Sequence, residues 1–474
     1  MTSATDFAPQ GRHRLGWDIT ESATGGLITD AHSVQRLIER RPLDSLKALA
    51  DVPLDGTYKG IPLGANVRLA DLASTGWNVA NGDLSYPVTT LSQDALTNNA
   101  RTMAEYCRRN GVLHAPHGKT SMAPQLFAAQ LDAGAWGITA ATPTQAAVMR
   151  KFGVPRVLLA NEVTDPAALR WMAGQMRDDQ SVEIYSLADN PDVVRWADAV
   201  LTADAAAQGT GVQLPVFVEI GSAGGRCGVR NDEELLAVAE AVKNSRHLRL
   251  VGVESFEGAV AVGTPQEAIA AARRFFDRTR AATELLLSAD VFESDQVLVS
   301  AGGSGYFDVV IEQLGSGWES SVKPVQLMIR SGGYISHDSG RSSRVSPLDG
   351  RRSDSESLLL KNALEAWARV VSRPEPGIAM LAIGKRDVPF DVDLPVPLRF
   401  HKADGTVTTE LEGASVVNLM DQHAFLKVDP AQQLEPGDLV VLGVSHPCTA
   451  FDKNRFLPVV DDQYNVVDGV LTFF

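Results

Sequence analysis

The sequence feature that most limits the possible folds is a regular alternation of apolar runs and helical stretches between about residues 94 and 330. The runs are rich in Val, Ile and Leu without alternating polar residues, which is typical of strands buried on both faces of a parallel sheet. Eight runs are present, at residues 112–115, 137–141, 156–160, 182–186, 216–220, 248–253, 297–300 and 325–329. Eight strands separated by helices over about 240 residues match a (β/α)8 TIM-type barrel better than an open doubly wound sheet.

Several of the intervening helices are preceded by a capping side chain and a proline. A Thr, Asp or Asn side chain accepts a free backbone N–H at a helix start, and proline fits the next position because no N–H is needed there. Four starts follow this pattern: Thr142-Pro143, Asp165-Pro166, Asn190-Pro191 and Thr264-Pro265. The first and last also have Gln or Glu three residues after the Thr, which predicts a reciprocal capping box.

The chain beyond residue 340 has a different character. Residues 340–355 are rich in Ser, Arg, Asp and Gly, which indicates an exposed loop or lid, and a helix is expected near 357–371. Pro and Gly then interrupt short Val-rich runs, a pattern typical of an antiparallel β domain. These runs lie at 414–419, 439–444 and 457–460.

We therefore divide the chain into three segments. They are a mixed amino-terminal extension (1–85), a barrel (86–340) and a carboxy-terminal β domain (341–474). A second module is expected because 474 residues exceed what one hydrophobic core usually organises. The extension combines a helix near 33–49 with turn-rich sequence.

Charge and cysteine content exclude several partners and compartments. The chain has 43 Lys and Arg against 58 Asp and Glu, a net charge of −15 that repels nucleic acid and anionic lipid surfaces. The three cysteines, Cys107, Cys227 and Cys448, are too scattered for a disulfide framework and suit a reducing compartment. Neither a signal segment nor a run of about 18 apolar residues occurs. We predict a cytoplasmic protein without membrane or nucleic-acid partners.

Lys119 follows the first predicted strand, at the rim where barrels place their catalytic residues. Desolvation there could lower the pKa of the amine and let it form an imine, although a solvated surface lysine is the simpler interpretation. Two glycine-rich turns favour the first view, because barrels commonly bind a phosphate after the seventh and eighth strands. The turns are 300–305 and 330–334. Either turn alone could serve only for a tight bend.

A possible metal pair lies in the β domain. His446 and Cys448 are separated by Pro447, and an imidazole nitrogen with a thiolate is a ligand combination that suits zinc. Two ligands alone are also compatible with a strand end that carries one buried cysteine.

Several motifs, in order along residues 85–474, resemble the D-serine dehydratase and D-threonine aldolase group. This group comprises fold-type III pyridoxal-phosphate enzymes related to alanine racemase, with a barrel and a carboxy-terminal β domain. The motifs are Pro116-His117-Gly118-Lys119-Thr120, Glu219-Ile220, Arg226-Cys227-Gly228-Val229, the turns at Ser300 and Arg330, and Ser445-His446-Pro447-Cys448-Thr449.

The resemblance implies a role for each matching residue. Lys119 would hold pyridoxal phosphate as an imine and act as a catalytic residue, and His446 and Cys448 would hold Zn²⁺ or another divalent metal. Glu254, which does not match the family, is a second candidate catalytic residue. The other cofactor-binding residues would be His117, Arg226, Ser300, Gly302, Gly303, Ser304, Gly332, Gly333 and Tyr334. Related enzymes are dimers, so a homodimer is expected.

The chain departs from the family pattern in three places. Ser121 and Met122 follow Thr120 where the family usually has His-Lys, and Gly221 replaces an Asp. Glu254 stands where dehydratases have Tyr, and its carboxylate could face the pyridine nitrogen and favour the protonated ring. The alternative for Glu254 is a loop cap or a pair with a nearby Arg.

The resemblance implies a lyase that acts on D-3-hydroxy amino acids. Cys448 favours a D-serine dehydratase-like reaction that gives a 2-oxo acid and ammonia, because aldolases typically have Asp there. A D-threonine aldolase-like cleavage to glycine and an aldehyde, a racemase, and a non-catalytic pyridoxal-phosphate carrier remain alternatives. Tyr334, His337 and the arginines of 340–355 are candidates for binding the substrate carboxylate, with a solvated loop as the simpler interpretation.

Overall fold

A computed structural model describes residues 44–318, 321–351, 358–403 and 408–474. They form an eight-stranded parallel barrel and a mainly antiparallel β domain. The predicted fold class is therefore confirmed. Within these residues, no helix combines the length and apolar composition needed to cross a membrane.

The described amino-terminal segment contains short elements only. A 3-10 helix (Asp44–Leu49) precedes the hairpin of β1 (Pro53–Asp55) and β2 (Asn66–Arg68), and a second 3-10 helix (Leu69–Ser74) precedes β3 (Val88–Ser92). Most of the helix predicted near 33–49 lies outside the described residues, and the part that is described is a single 3-10 segment.

All eight predicted barrel strands are present and pair in parallel. The ladder runs from the first strand through the eighth, seventh, sixth, fifth, fourth and third to the second. A parallel bridge between His117, just beyond β4, and Thr139 in β5 joins the first and second strands. The strands are β4 (Leu113–His114), β5 (Ile138–Ala140), β6 (Arg156–Glu162), β7 (Glu183–Ala188), β8 (Leu214–Ile220), β9 (Leu248–Ser255), β10 (Val297–Ala301) and β11 (Val325–Ile329).

Apolar side chains fill the interior of the barrel. They are Leu113, Ala115, Trp136, Leu158, Tyr185, Leu187, Phe217, Val251, Leu298 and Met328. Because side chains alternate between the two faces of a strand, the residue two positions further along points into the barrel again. This rule brings Glu219 on β8, Ser300 on β10 and Arg330 after β11 to the carboxyl-terminal mouth.

Helices follow the strands and cover the outside of the barrel. All four capping side chains predicted before a proline accept a backbone N–H. Thr264 and Glu267 form the reciprocal box, whereas Gln145 bonds the N–H of Ala141 rather than that of Thr142, so the first predicted box is wrong. The helices are α1 (Gln93–Arg109), α2 (Pro124–Asp132), α3 (Pro143–Lys151), α4 (Pro166–Asp178), α5 (Pro191–Gln208), α6 (Asp232–Lys243), α7 (Pro265–Ser288) and α8 (Phe307–Leu314).

The second sheet has ten strands and includes β3. The strand β3 pairs with the twelfth strand in antiparallel and with the nineteenth in parallel fashion. The remaining strands are β12 (Leu364–Glu375), β13 (Ile378–Leu381), β14 (Val396–His401), β15 (Thr408–Glu410), β16 (Ser415–Leu419), β17 (Ala424–Lys427), β18 (Leu439–Gly443), β19 (Phe456–Val460) and β20 (Val466–Leu471). The three Val-rich runs predicted as strands correspond to β16, β18 and β19.

The helix predicted over 357–371 is wrong, because residues 364–375 form strand β12. This segment has good helix formers, but it lies between β3 and β18 and is buried on both faces. Trp367, which is 0% exposed, donates an indole hydrogen bond to Thr90 on β3 at 3.1 Å. Tertiary burial therefore overrides local propensity here.

The amino-terminal segment belongs with the second sheet. Leu54, Leu72 and Val88 share one hydrophobic core with Trp367 and Phe456. The first helix of the barrel region is α1, whereas β3 pairs with strands of the second sheet.

The segment 340–355, predicted as an exposed loop, is partly packed. It contains α9 (Arg341–Val345) and a π-type turn (Pro347–Arg351), and residues 352–355 lie outside the described part of the chain. Leu348 is 2% exposed, and Arg351 forms an ion pair with Asp308 on α8. These contacts anchor the segment on the rim of the barrel.

Candidate active site

Lys119 lies in a 3-10 turn (Gly118–Thr120) just beyond β4, with its side chain exposed at the barrel mouth. No described residue forms a hydrogen bond with its amine. Desolvation by the surrounding walls lowers the pKa of Lys119, and the positive charges of Arg226 and Arg330 act in the same direction, while Cys448 opposes them. A lysine in such surroundings is a suitable nucleophile and base.

Gly118 allows this turn to sit close to the barrel wall. A Cβ atom at this position would lie 2.6 Å from Met149 Cε, 2.7 Å from Ile138 Cγ2 and 2.9 Å from Phe127 Cε1. Any larger residue would therefore push the lysine-bearing turn away from α2 and α3.

The two glycine-rich turns after β10 and β11 meet at the same mouth. Ser331 Oγ donates to the carbonyl of Gly303 at 2.8 Å, and the N–H of Gly333 donates to Ser304 Oγ at 3.2 Å. Gly302 has φ +90°, a conformation that favours glycine. The structure thus joins the two turns that the sequence suggested for phosphate.

Polar atoms without partners line the space between these turns and Lys119. Gly332 lets the loop after β11 lie against the loop after β4. A Cβ atom at position 332 would be only 2.3 Å from the carbonyl oxygen of His117. Ser300 Oγ, Arg330 Nε and His117 Nδ1 are buried without a hydrogen-bond partner among the described residues. Burial, with the charges of Lys119 and Arg330, lowers the pKa of His117 well below its usual range, so its ring is neutral. Such polar atoms beside an unpaired lysine fit an anionic aldehyde cofactor such as pyridoxal phosphate.

Glu257 was missed by the sequence analysis and occupies part of this space. Its two carboxylate oxygens lie 3.0 and 3.1 Å from the N–H of Gly303, and the residue is 2% exposed. Burial raises the pKa of this carboxyl. The predicted contact between Gly303 and a phosphate therefore requires displacement of Glu257.

Glu254 and Arg330 form a buried ion pair in the top layer of the barrel. Arg330 Nη2 donates to Glu254 Oε1 and, at 3.3 Å, to the carbonyl of Ser255. Burial raises the pKa of Glu254 to about 7, although the Arg330 charge opposes this shift. Of the two roles considered for Glu254, pairing with a nearby Arg is the one present. Its second oxygen, Oε2, is buried without a partner among the described residues, so it remains free to accept a hydrogen bond.

Tyr334 and His337, the non-arginine candidates for the substrate carboxylate, are turned into the protein. Tyr334 is 3% exposed, its ring centroid lies 5.1 Å from that of His114, and burial raises its pKa far above the usual range. His337 is 1% exposed and its Nε2 lies 2.7 Å from Asp349 Oδ2. Both side chains therefore have structural partners.

The arginines at the barrel mouth differ in whether they already have a partner. Arg226 is exposed, and its guanidinium lies 4.8 Å from the ring centroid of Phe256. Arg341 forms no ion pair with any described residue, so it is the loop arginine left free to bind a carboxylate. Two other loop arginines are already paired, Arg344 with Asp393 and Arg351 with Asp308.

The predicted metal pair lies beside the lysine turn. His446 follows β18, and Cys448 begins α10 (Cys448–Phe451). Cys448 Sγ lies 3.4 Å from Oγ1 of Thr120, the residue after Lys119. The β domain therefore brings the imidazole and thiol to the barrel mouth, although more than 300 residues separate them from the lysine along the chain.

A carboxylate missed by the sequence analysis orients His446. Asp391 Oδ2 lies 2.7 Å from His446 Nδ1, and Asp391 Oδ1 accepts a 2.7 Å hydrogen bond from Thr449. Imidazoles that bind metals commonly bond a carboxylate through their second nitrogen in this way. The arrangement leaves Nε2 of His446 and Sγ of Cys448 to hold a divalent metal, as their donor chemistry suits zinc.

The electrostatics of the pair favour a thiolate. Burial raises the pKa of Cys448, but hydrogen bonds with His446 and Thr120 and the charges of His446 and Lys119 outweigh it, and the net pKa is lowered. The hydrogen bond to Cys448 raises the pKa of His446 to about 9. A thiolate is the form in which cysteine binds a metal ion.

Acidic residues at the ends of the third to fifth barrel strands complete the mouth. Glu162 and Glu219 lie against each other, and burial together with Glu162 raises the pKa of Glu219 to about 8. Asp189 lies near them. The sequence analysis named Glu219 but missed Glu162 and Asp189, which the two-residue period following the interior side chains Leu158 and Leu187 could have found.

Comparisons with known proteins agree with this architecture. Residues 91–306 match the family model "Alanine racemase, N-terminal domain", and residues 363–460 match "Putative serine dehydratase domain". The 3-hydroxy-D-aspartate aldolase of Paracoccus denitrificans (strain Pd 1222) is 26% identical over 361 residues, which cover 75% of this chain and 85% of the aldolase.

Two solved structures share the fold. The D-threonine aldolase of Filomicrobium marinum superposes with a TM-score of 0.67 at 24% identity over 84% of this chain and 96% of its own. The D-threo-3-hydroxyaspartate dehydratase of Delftia sp. HT23 gives 0.63 at 20% identity over 83% and 98%. Both domain models match in order, which confirms the resemblance of this chain to the fold-type III pyridoxal-phosphate enzymes that have an alanine racemase-like barrel and a serine dehydratase-type β domain.

Proposed function

We propose that the protein is a pyridoxal-phosphate-dependent, metal-assisted dehydratase that converts a D-3-hydroxy amino acid into a 2-oxo acid and ammonia. The observation that carries the proposal is the contact between Cys448 and Thr120, because it sets a metal pair beside the lysine that would carry the cofactor. A cofactor lysine and a metal site within one mouth suit a substrate that loses an α-proton and a β-hydroxyl.

Different residues would bind the cofactor, accept the α-proton and bind the substrate carboxylate. Bound pyridoxal phosphate supplies an electron sink for negative charge at the substrate α-carbon. Lys119 Nζ, whose pKa is lowered, is the group that accepts the α-proton. Ser300, His117 and the two glycine turns hold the cofactor, and Arg341 is available for the substrate carboxylate.

His446 and Cys448 act on the other side of the substrate. They would hold a divalent ion, zinc by their donor preference, whose Lewis acidity weakens the bond between the β-carbon and its hydroxyl. Loss of that hydroxyl as water leaves an enamine, which takes up water and releases ammonia to give the 2-oxo acid. Asp391 keeps the imidazole in the orientation that the metal needs.

An aldolase reaction is the second candidate. It uses the same lysine and metal pair, but the β-hydroxyl loses its proton and the bond between Cα and Cβ breaks, which gives glycine and an aldehyde. The 26% identical curated relative is an aldolase for 3-hydroxy-D-aspartate, which favours this candidate. Cys448, in place of the Asp typical of aldolases, favours the dehydratase.

A product assay with D-threonine separates the candidates. We expect 2-oxobutanoate and ammonia in equal amounts from the zinc-loaded holoenzyme, with L-threonine as the control substrate. Acetaldehyde and glycine would instead establish the aldolase. Conversion of D-threonine into its epimer at the α-carbon, the L-allo form, would indicate a racemase. A bound cofactor without turnover of any D-3-hydroxy amino acid would indicate a carrier.

A test of Glu254 is the variant Glu254→Gln. We expect a shifted absorption spectrum of the bound cofactor and turnover slowed by about tenfold, because the ring nitrogen would lose a carboxylate that favours its protonated form. The unpaired Arg330 should also lower stability by about 3–5 kcal/mol. Glu365→Gln is the matched control, since Glu365 pairs with Arg399 in the β domain and its loss should leave the spectrum unchanged. An unchanged spectrum in Glu254→Gln would contradict this role.

A further inference from the structure

Three potential metal ligands converge on the side of the barrel mouth opposite the glycine turns. Glu162 ends β6, Asp189 follows β7, and Cys227 lies in the turn after β8. One ligand atom from each, two carboxylate oxygens and a thiol sulfur, lie within 4.8 Å of one another. These three residues are neither in the predicted cofactor site nor in the His446–Cys448 pair.

None of the carboxylates in this cluster forms an ion pair with another described residue, although the charges of Arg226 and Arg330 act on Glu219. Both side-chain oxygens of Glu162 are inaccessible to solvent and have no hydrogen-bond partner. Glu219, which is only 7% exposed, points its carboxyl at Glu162 and forms no ion pair. Acidic groups buried in this way need a paired charge or a metal ion, because desolvation of an isolated carboxylate is costly.

The arginines around the cluster have other direct partners: Arg330 pairs with Glu254, and Arg226 lies over the ring of Phe256. Arg230 donates to the backbone carbonyls of Arg226, Cys227 and Gly228 rather than to a carboxylate. The turn after β8, which contains Cys227, also fixes the position of Asp189, because the N–H of Gly228 donates to Asp189 Oδ2 at 2.9 Å. The fold therefore holds the three ligand residues together at one place.

We propose that Glu162, Asp189 and Cys227 bind a second divalent transition ion, of the zinc type. One thiolate and two carboxylates supply three ligands, and a water molecule or Glu219 can complete a tetrahedral site. The thiolate selects zinc over magnesium and calcium, which prefer oxygen ligands. The ion would neutralise the acidic side of the mouth and fix the turn that carries Arg226 opposite Lys119.

Metal counting in the full-length holoenzyme tests the proposal. The double variant His446→Ala/Cys448→Ala lacks the first pair and serves as the background, so the result does not depend on the proposed reaction. After equilibration with zinc and gel filtration we expect about one zinc ion per chain. Adding Glu162→Gln and Cys227→Ser should abolish this binding, whereas adding Glu293→Gln, an exposed carboxylate before β10 on the far face of the barrel, should not. Absence of zinc from the background variant would overturn the proposal.

Thiol alkylation gives a readout that does not depend on a variant of the cluster. In the same background the remaining thiols are Cys107, which is buried, and Cys227, which is exposed. We expect zinc to slow the reaction of iodoacetamide with Cys227 by at least about tenfold, because a metal-bound thiolate is shielded from alkylation. Magnesium at the same concentration should give no protection. Equal alkylation rates with and without zinc would contradict a site at Cys227, even if zinc were retained elsewhere. Circular dichroism of each variant checks that the variant is folded.

Discussion

Replacement of Lys119 by alanine should remove the visible absorption band of the lysine-bound cofactor and lower turnover by at least about 10³-fold. The structure gives two reasons for so large an effect. In the proposed reaction, the amine beside the glycine turns joins the cofactor covalently, and its lowered pKa suits it to accept the α-proton. Both functions are lost together in Lys119→Ala.

Borohydride reduction followed by peptide mapping checks this prediction in the unmodified protein. The label should lie on the peptide that contains Lys119. Lys427→Ala is the matched control, because Lys427 is exposed on β17 of the second domain and should affect neither the band nor turnover. A label on another lysine, or an intact band in Lys119→Ala, would remove the basis of the proposed reaction.

Replacement of His446 by alanine should cause a large loss of bound metal and of turnover. Loss of the imidazole ligand should deplete the metal and raise the reaction barrier by several kcal/mol, which corresponds to turnover slower by about 10²- to 10³-fold. Cofactor absorbance should remain, since His446 lies in the β domain and the glycine turns are in the barrel. Metal analysis and turnover measured on the same sample separate these two effects.

Asp391→Asn provides a graded version of the same test. The variant keeps the imidazole but removes the carboxylate that orients it, so metal affinity should fall by about 10- to 100-fold. Excess zinc should restore turnover in Asp391→Asn but not in His446→Ala. The control is Asp393→Asn, whose carboxylate pairs with Arg344 instead of His446. If His446→Ala retained full turnover after chelation, the metal would have no part in the reaction.

The local sequence patterns were sufficient for the barrel and for the position of Lys119. Runs of Val, Ile and Leu are continuous because both faces of each barrel strand are covered, and capping residues mark where each helix starts. The same type of reasoning failed over 364–371, which was predicted as helix but lies in strand β12. There the neighbouring strands β3 and β18 decide the outcome, and β3 lies about 270 residues earlier in the chain.

The site itself was predictable only in part. Lys119 and the pair His446 and Cys448 could be found because each is marked by residues adjacent to it in the chain. Glu257 and Asp391 could not, because each acts on a residue that is distant in sequence, Gly303 and His446 respectively. Their positions depend on how loops from two domains come together at one mouth.

By itself the sequence determined the succession of most strands and helices, the lysine at the end of the first barrel strand and the candidate metal-binding side chains of the β domain. These depend on side-chain chemistry and on a spacing of a few residues. Only the tertiary structure decided that Glu254 pairs with Arg330, that β3 joins the second sheet and that Glu162, Asp189 and Cys227 meet. Closing the barrel brings the ends of separate strands within a few ångströms, and burial then fixes which charges must be neutralised.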